Sequence, residues 1–148
     1  LLMRKNMGKY KPFFDLEYYK VIVEQPIEGI PSTAFGQVKI GVDGEMAITA
    51  GEGDGPVHAL DGALRRALER FYPQVKQIRL TDFKVRVLDS KSATAAKVRV
   101  LIESTDGEHD WTTVGVSSDL IEASWIALVD SFEYKLIMDV EKRFKAYL

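Results

Sequence analysis

The histidines and cysteines of this sequence set narrow limits on the chemistry that the chain can do. It has two histidines, His58 and His109, and no cysteine, which excludes disulfides, a thiol nucleophile and a Cys-ligated metal. The histidines form no i,i+4 pair and no His-Glu-x-x-His motif, whereas a zinc site needs three or four converging ligands. An independent enzyme would have to rely on His58 and Asp54, too few groups for a hydrolase or a metalloenzyme. We therefore expect no catalytic residue, no metal ligand and no cofactor in this chain.

A glycine-rich segment at residues 51–56, Gly-Glu-Gly-Asp-Gly-Pro, is the most suggestive local feature. Glycine leaves backbone N–H groups accessible, and the first turn of a helix attracts anions, so the segment is a candidate carboxylate pocket. It lacks the Gly-Lys-Ser/Thr of a P-loop and the spacing of a dinucleotide-binding fingerprint, which argues against a nucleotide. The alternative is a strand-to-helix turn that needs glycine conformations.

A second turn, Ser117-Ser118-Asp119, stands at the corresponding place in the later half of the chain. These residue types are typical of helix caps, but two equivalent turns also suit the docking of small ligands. Thr94 lies among alanines, where small side chains either leave room for a ligand or let a helix pack closely against the strand.

The elements that must position these turns occur twice along the chain. Apolar and polar residues alternate in six segments, as expected for half-buried strands, and an Asp-Gly turn precedes the third strand of each set. Apolar residues at helical spacing follow each set. The predicted strands are at about 14–24, 33–42, 45–50, 77–88, 94–103 and 109–116, and the predicted helices are at about 57–72 and 120–144. This order predicts an α+β fold of two βββα units, at residues 14–76 and 77–148, intertwined or packed as a homodimer, with residues 1–13 as a linker.

Composition narrows the class of protein further. Of 148 residues, 46% are hydrophobic, enough for a core. The net charge of −2 argues against nucleic acid as a partner, because phosphate binding needs clustered Lys and Arg. No apolar run approaches the ~18 residues that span a bilayer, and no signal-peptide pattern opens the chain. We expect a cytoplasmic protein without a membrane partner. Because the chain starts with Leu1 rather than Met, we also expect a piece of a longer protein.

Four segments of the sequence, taken together and in order, resemble a known family. They are residues 51–60, which resemble its Gly-x-Gly-x-Gly-Pro-x-x-Ala segment, and residues 80–88, 94–98 and 114–125. The resemblance is to the C-terminal regulatory, or LeuA-type dimerisation, domain of the 2-isopropylmalate synthase and citramalate synthase family. It covers roughly residues 14–136, almost the whole chain.

The resemblance implies a fold and a function. In that family the regulatory domain is built from two βββα units and pairs with its copy in a homodimer. A separate N-terminal TIM barrel condenses acetyl-CoA with a 2-keto acid, using a divalent metal, and residues 1–13 would lead from it. The end-product amino acid binds the regulatory domain and inhibits the distant catalytic site. Residues 80–88 and 121–125 look more like the citramalate synthase branch, which implies isoleucine as the effector. The alternatives are a leucine-sensing domain of 2-isopropylmalate synthase and a purely structural dimerisation module.

The effector-binding residues that the resemblance implies fall in four places. They are Gly53, Gly55, His58 and Ala59 at the first turn, Leu80, Phe83 and Val87 on the fourth strand, Thr94, and Val116 and Ser118 at the second turn. The apolar members suit a branched aliphatic side chain, while Thr94, His58 and backbone groups suit an ammonium and a carboxylate. His58 departs from the family pattern, because a neutral histidine accepts a hydrogen bond through one nitrogen only and a protonated one repels an ammonium.

Overall fold

The computed structural model describes residues 12–24, 33–88 and 96–146, and it confirms the predicted α+β fold of two βββα units. The chain divides into a first unit, Phe14–Lys76, and a second unit, Gln77–Leu148 together with Leu1–Phe13. In the first unit the elements are β1 (Asp15–Glu24), β2 (Thr33–Val42), β3 (Glu45–Gly53) and α1 (Pro56–Glu69). In the second unit they are β4 (Arg79–Leu88), β5 (Lys97–Thr105), β6 (Asp110–Ser117) and α2 (Leu120–Ala146).

The first helix ends earlier than its apolar spacing predicts. α1 stops at Glu69 rather than near Tyr72. The N–H of Phe71 donates at 3.0 Å to the carbonyl oxygen of Leu68, three residues back, which tightens the last turn. The N–H of Tyr72 donates to the same oxygen at 2.7 Å. Pro73 disfavours helical backbone at the residue before it, and the chain continues as a short 3-10 helix, Pro73–Gln77.

Each unit contains one three-stranded antiparallel sheet in chain order, β1-β2-β3 or β4-β5-β6. Both predicted Asp-Gly turns are confirmed by left-handed glycines, Gly44 at φ 85° and Gly107 at φ 94°. The first strand of each sheet carries a register shift at the same place, between Leu16 and Tyr18 and between Leu80 and Asp82. The two sheets therefore share topology, turn chemistry and irregularity.

Each helix lies across the second and third strands of its own sheet. In the first unit the fully buried side chains include Val38, Ile40, Leu60, Leu64 and Leu68. In the second unit they include Val100, Ile102, Leu128 and Phe132. Trp111 lies with this second group and its indole N–H donates to the carbonyl oxygen of Ser131 at 3.2 Å, which satisfies the polar end of the ring.

The middle of α2 also holds buried charged side chains. Glu133 is 1% exposed, and its two carboxylate oxygens accept the backbone N–H of Phe13 at 3.2 and 3.3 Å. Phe13 and Glu133 belong to the same unit, so this contact lies within the second unit. None of the helices in the described part of the chain combines the length and hydropathy needed to cross a bilayer.

Candidate functional site

The first predicted site turn links β3 to α1. Gly53 is the last residue of β3, and Gly55 is the N-cap of α1, with extended backbone and no side-chain hydrogen bond to the helix. Pro56 occupies the first helical position, where a backbone N–H is not required. The carbonyl oxygen of Gly55 accepts the N–H of Ala59 at 3.1 Å, which closes the first turn of the helix.

The glycines of this turn serve close packing rather than unusual backbone conformation. A Cβ on Gly51 would lie 2.7 Å from the carbonyl oxygen of Ala59, and one on Gly53 would lie 2.8 Å from the Cβ of His58. None of the glycines at residues 51–55 has a positive φ. The expectation that this turn needs glycine conformations is therefore wrong: Gly51 and Gly53 are required because the helix approaches the strand too closely for any side chain. Gly55 faces open space.

His58 and Ala59 lie in the first turn of α1 with opposite exposure. Ala59 is fully buried against the sheet, whereas His58 is exposed. One turn further along, burial raises the pKa of Asp61 above its ordinary value, against the opposing influence of Arg65 and His58. Arg65 lies 3.3 Å from Asp61 and also donates to the carbonyl oxygen of Val75 at 3.2 Å. These contacts tie α1 to the segment that follows it.

The second predicted site turn is a helix cap. The Ser117 hydroxyl accepts the N–H of Asp119 at 3.0 Å, and the Asp119 carboxylate accepts the N–H of Ile121 at 2.8 Å. The capping interpretation of this turn is thereby confirmed. Ser118 is exposed beside the cap. Thr94 lies outside the described residues.

The predicted residues of the second unit do not all share one face of the sheet. Leu80, Phe83 and Val87 lie on the face that carries α2, because their partners are Ser104, Ile102 and Val98 on β5. Val116 pairs with Arg99, which is on the other face. Within this unit Val116 therefore lies on the opposite side of the sheet from the three β4 side chains.

A charged cluster that the sequence did not indicate lies between the β5–β6 turn and α2. The Lys135 ammonium, 5% exposed, lies 2.7 Å from Asp106 and 3.1 Å from Asp139. The Asp106 carboxylate also accepts the N–H groups of Glu108 and His109, at 2.9 and 2.7 Å. With Lys142 and neighbouring residues these groups line an open cavity of about 650 Å³.

Charge pairing sets the protonation of this cluster. Burial by itself would raise the pKa of Asp106, but the hydrogen bonds from Lys135, His109 and Glu108 outweigh it and hold the pKa far below its ordinary value. Burial would lower the pKa of Lys135, and its bonds to Asp106 and Asp139 outweigh that effect and raise it. Both groups are therefore charged at neutral pH, as a buried ion pair requires. No group of three or more His, Asp or Glu residues in the described ranges could hold a metal ion.

Comparison with known protein families identifies the family of this chain. A sequence profile described as the LeuA allosteric (dimerisation) domain matches residues 1–136. The chain belongs to the LeuA allosteric domain family. The resemblance that the four sequence segments indicated is thus confirmed.

The relatives of this LeuA domain are much longer proteins. The chain is 49% identical over 142 residues to an (R)-citramalate synthase of Aquifex aeolicus, covering 96% of the chain and 27% of that protein. It is 48% identical over 136 residues to an (R)-citramalate synthase of Geobacter sulfurreducens, covering 92% of the chain and 26% of the relative. A probable 2-isopropylmalate synthase of Archaeoglobus fulgidus is 30% identical over 101 residues, 68% of the chain and 19% of the relative. The LeuA domain thus spans between about a fifth and a quarter of the length of these curated relatives.

The predicted effector residues of the LeuA domain separate into two sets. Gly53, His58 and Ala59 come together at the start of α1, with Gly55 beside them, all in the first unit. Leu80, Phe83 and Val87 form a row on β4 in the second unit, and Ser118 lies at the start of α2. Val85 belongs to the same row, between Phe83 and Val87, and was not among the predicted effector residues. The period-two alternation of β4 was the signal that could have included it.

Proposed function

We propose that this chain is the allosteric domain of an acetyl-CoA-dependent citramalate synthase, which binds isoleucine as a feedback inhibitor and forms a homodimer. The observation that carries the proposal is the similarity to five (R)-citramalate synthases, at 39–49% identity over 92–96% of the chain. The similarity to the probable 2-isopropylmalate synthase is weaker, at 30%. Condensation of acetyl-CoA with a 2-keto acid, with a divalent metal, belongs in this proposal to a separate catalytic domain of the parent protein.

The chemistry of the two site sets supports an amino-acid effector. N–H groups in the first turn of a helix favour a carboxylate, and no side chain caps the start of α1, where Pro56 is the first residue. Leu80, Phe83 and Val87 supply apolar surface for a branched side chain. Each set lies in its own unit and offers a separate contact to the effector.

Calorimetric titration of the chain with isoleucine, leucine and valine tests the effector. We expect saturable binding of isoleucine, and a melting temperature that rises with its concentration because a ligand of the native state stabilises it. Phe83→Ala should weaken binding at least tenfold, whereas Val114→Ala, on the other face of the same sheet, should leave it unchanged. The absence of binding heat with all three amino acids would reject effector binding.

The leucine-sensing alternative is favoured by the match to the 2-isopropylmalate synthase. Leucine and isoleucine differ in the position of one methyl group, and an apolar pocket discriminates such ligands by only about 1–3 kcal/mol. The same titrations separate the two proposals, because the tighter ligand identifies the pathway product that the domain senses. A dimer that binds neither amino acid would instead be a structural dimerisation module.

A further inference from the structure

The second sheet carries three cations without an acidic partner on the face that α2 does not cover. α2 packs on the face of the core residues of β5, and the pairing of the strands puts Arg86, Lys97 and Arg99 on the other face. Lys84 is also there, but it lies 3.5 Å from Asp82. Within the described ranges the side chains of the other three have neither an ion pair nor a hydrogen bond. Positive charge is therefore concentrated on one face of a chain whose net charge is −2.

Two of these cations are direct cross-strand partners. Arg86 on β4 pairs with Arg99 on β5, and we call these two residues the arginine pair. The Cβ atoms of such partners are only about 5 Å apart, and like charges directly opposite one another destabilise a sheet. Lys97 lies two residues from Arg99 on the same face, a distance of about 7 Å along the strand. The three cations thus repel one another, and an anion held between them would offset that repulsion.

Arg99 is the more buried member of the arginine pair. It is half-buried on the central strand of the sheet, whereas Arg86 is exposed on an edge strand. The Nε of Arg99 is shielded from solvent and has no hydrogen-bond partner in the part of the chain that the structure describes. A shielded donor without an acceptor costs free energy. An anion with several oxygens would supply acceptors to this guanidinium group.

The first unit shows that the fold does not require an arginine pair. Counted from the equivalent register shifts, Ile22 and Phe35 occupy in the first sheet the positions that Arg86 and Arg99 occupy in the second. Ile22 and Phe35 are also direct cross-strand partners, and neither is charged. Because the same topology forms with an apolar pair at this place, we infer that the arginine pair serves binding rather than architecture.

The side chains select the chemistry of the ligand. A guanidinium group presents its N–H donors as a planar fork that matches the oxygens of carboxylates and phosphates. A carboxylate brings one negative charge, whereas a phosphoryl group brings about −1.5 to −2 at neutral pH on three oxygens. The larger charge and the third oxygen suit two opposed guanidinium groups with an ammonium group beside them.

We propose that the arginine pair and Lys97 bind the phosphoryl group of a phosphorylated small molecule. The site lies on the face of the sheet opposite Phe83 and Val87, the apolar side chains assigned above to isoleucine. It therefore takes a different ligand from the amino-acid effector and does not depend on the effector proposal.

Calorimetric titration of the chain with inorganic pyrophosphate tests the site. We expect saturable binding that weakens as NaCl is added, because salt screens exposed charges. Arg86→Gln and Arg99→Gln should each weaken binding at least tenfold. Arg99→Lys keeps the charge but loses the planar fork, and it should weaken binding by a smaller factor. Arg70→Gln is the matched control, because it removes the same charge from an exposed position in the first unit, and it should leave the affinity within twofold of wild type.

Three outcomes would overturn the site. They are the absence of binding heat with pyrophosphate, equal weakening by Arg70→Gln and by the arginine-pair variants, and equally tight binding of citrate, whose charges are all on carboxylates. If a Gln variant does not fold by circular dichroism, the double variant Arg86→Ile with Arg99→Phe replaces it. This variant carries the pair that the first unit has at the same positions, and it should lose pyrophosphate binding.

The two ligands separate this site from the effector function. Arg86→Gln and Arg99→Gln should bind isoleucine with wild-type affinity, and Phe83→Ala should bind pyrophosphate with wild-type affinity. A chain that binds pyrophosphate but not isoleucine would keep the phosphoryl site and reject the effector proposal. Loss of pyrophosphate binding in Phe83→Ala would contradict a site on the opposite face.

Discussion

The two units pack the helix against the third strand in the same way, but they differ at the ends of their helices. Thr49 and Thr113 each donate a hydroxyl hydrogen bond to a helix carbonyl, that of Ala63 and that of Ala127. Two residues after each threonine, a glycine lets the helix approach the strand, Gly51 in the first unit and Gly115 in the second. A Thr-x-Gly strand against an alanine-lined helix is therefore the constant part of the repeat.

The differences lie at the ends of the helices. α1 has 14 residues and begins without a side-chain cap, whereas α2 has 27 residues and is capped by Asp119. The extra length of α2 carries Lys135, which bonds the β5–β6 turn through Asp106. The second unit is thus built for additional buried polar contacts, while the first has an open helix start suited to a ligand. The following predictions test this division, from the largest effect to the smallest.

Replacing Lys135 should give the largest loss of stability. Lys135→Met leaves the Asp106 carboxylate buried without its counter-charge, and breaking a buried pair in this way costs about 3–5 kcal/mol. Lys142→Met is the matched control, because Lys142 pairs with Glu108 where both side chains are more than 60% exposed, and such pairs contribute about 0–1 kcal/mol. Urea unfolding followed by tryptophan fluorescence measures both, since Trp111 and Trp125 lie in the second unit. Equal effects of the two variants would contradict a structural role for the cluster.

Replacing the packing glycine Gly115 should give the next largest loss of stability. In Gly115→Ala the new Cβ would overlap the carbonyl oxygen of Ala123 and lie 3.0 Å from the N of Ala127. Helix and sheet must separate, and overpacking of this kind costs about 1–3 kcal/mol or more. Gly51→Ala should act in the same direction in the first unit. In Gly55→Ala the new Cβ would have no atom within 4 Å, and the backbone there is extended. This substitution should therefore be tolerated. The free energy of unfolding, from circular dichroism in urea, distinguishes the three.

Acid should destabilise the second unit through Asp106. Because the pKa of this carboxyl is lower in the folded protein than in the unfolded chain, the unfolded state binds the proton more readily. The contribution of the ionised Asp106 carboxylate to the free energy of unfolding is fully present above the ordinary Asp pKa of about 4. It is lost as the pH falls further, with a slope of at most about 1.4 kcal/mol per pH unit. Asp106→Asn should remove this part of the acid dependence of the unfolding midpoint measured between pH 5 and pH 2. An unchanged dependence would count against the ion pair.

The helix caps should give the smallest effects. Asp119→Ala removes the acceptor of the Ile121 N–H and should cost about 1 kcal/mol. Gly55→Asp would place a cap at the equivalent position of α1, where space is open, and should change stability by only a few tenths of a kcal/mol. If the start of α1 receives the effector carboxylate, the same Gly55→Asp variant should weaken isoleucine binding by charge repulsion. Thermal unfolding and calorimetry separate these two results.

Much of the fold was readable from local patterns. The alternation in six segments, the two Asp-Gly turns and the Ser117-Ser118-Asp119 cap depend on interactions within a few residues, and each was predicted from the sequence. The end of α1 was missed because Phe71 and Tyr72 continue the helical spacing of apolar residues. The helix stops there for a backbone reason, the tightened turn on Leu68 before Pro73, which hydrophobic periodicity does not register.

The candidate site was harder to predict than the fold, because the face on which a strand residue lies depends on the register of strand pairing. Val116 has the same apolar character as Phe83 and Val87, but the pairing of β6 with β5 places it on the other face, since a shift of one residue reverses every side chain of a strand. The ion pair between Asp106 and Lys135 joins residues 29 apart in the sequence. Neither residue type nor spacing indicates such a pair, because it exists only once the turn and the helix are packed.

The sequence by itself determined the order of elements, the turns, the cap at Asp119 and the family, because these follow from short-range patterns and from motifs in a fixed order. The tertiary structure decided which glycines are needed for space, which charges are buried and which apolar strand side chains stay exposed. The physical reason is that burial depends on what packs above a residue. Val85 and Val100 are the same residue type on the same face of one sheet, yet only the reach of α2 leaves one exposed and buries the other.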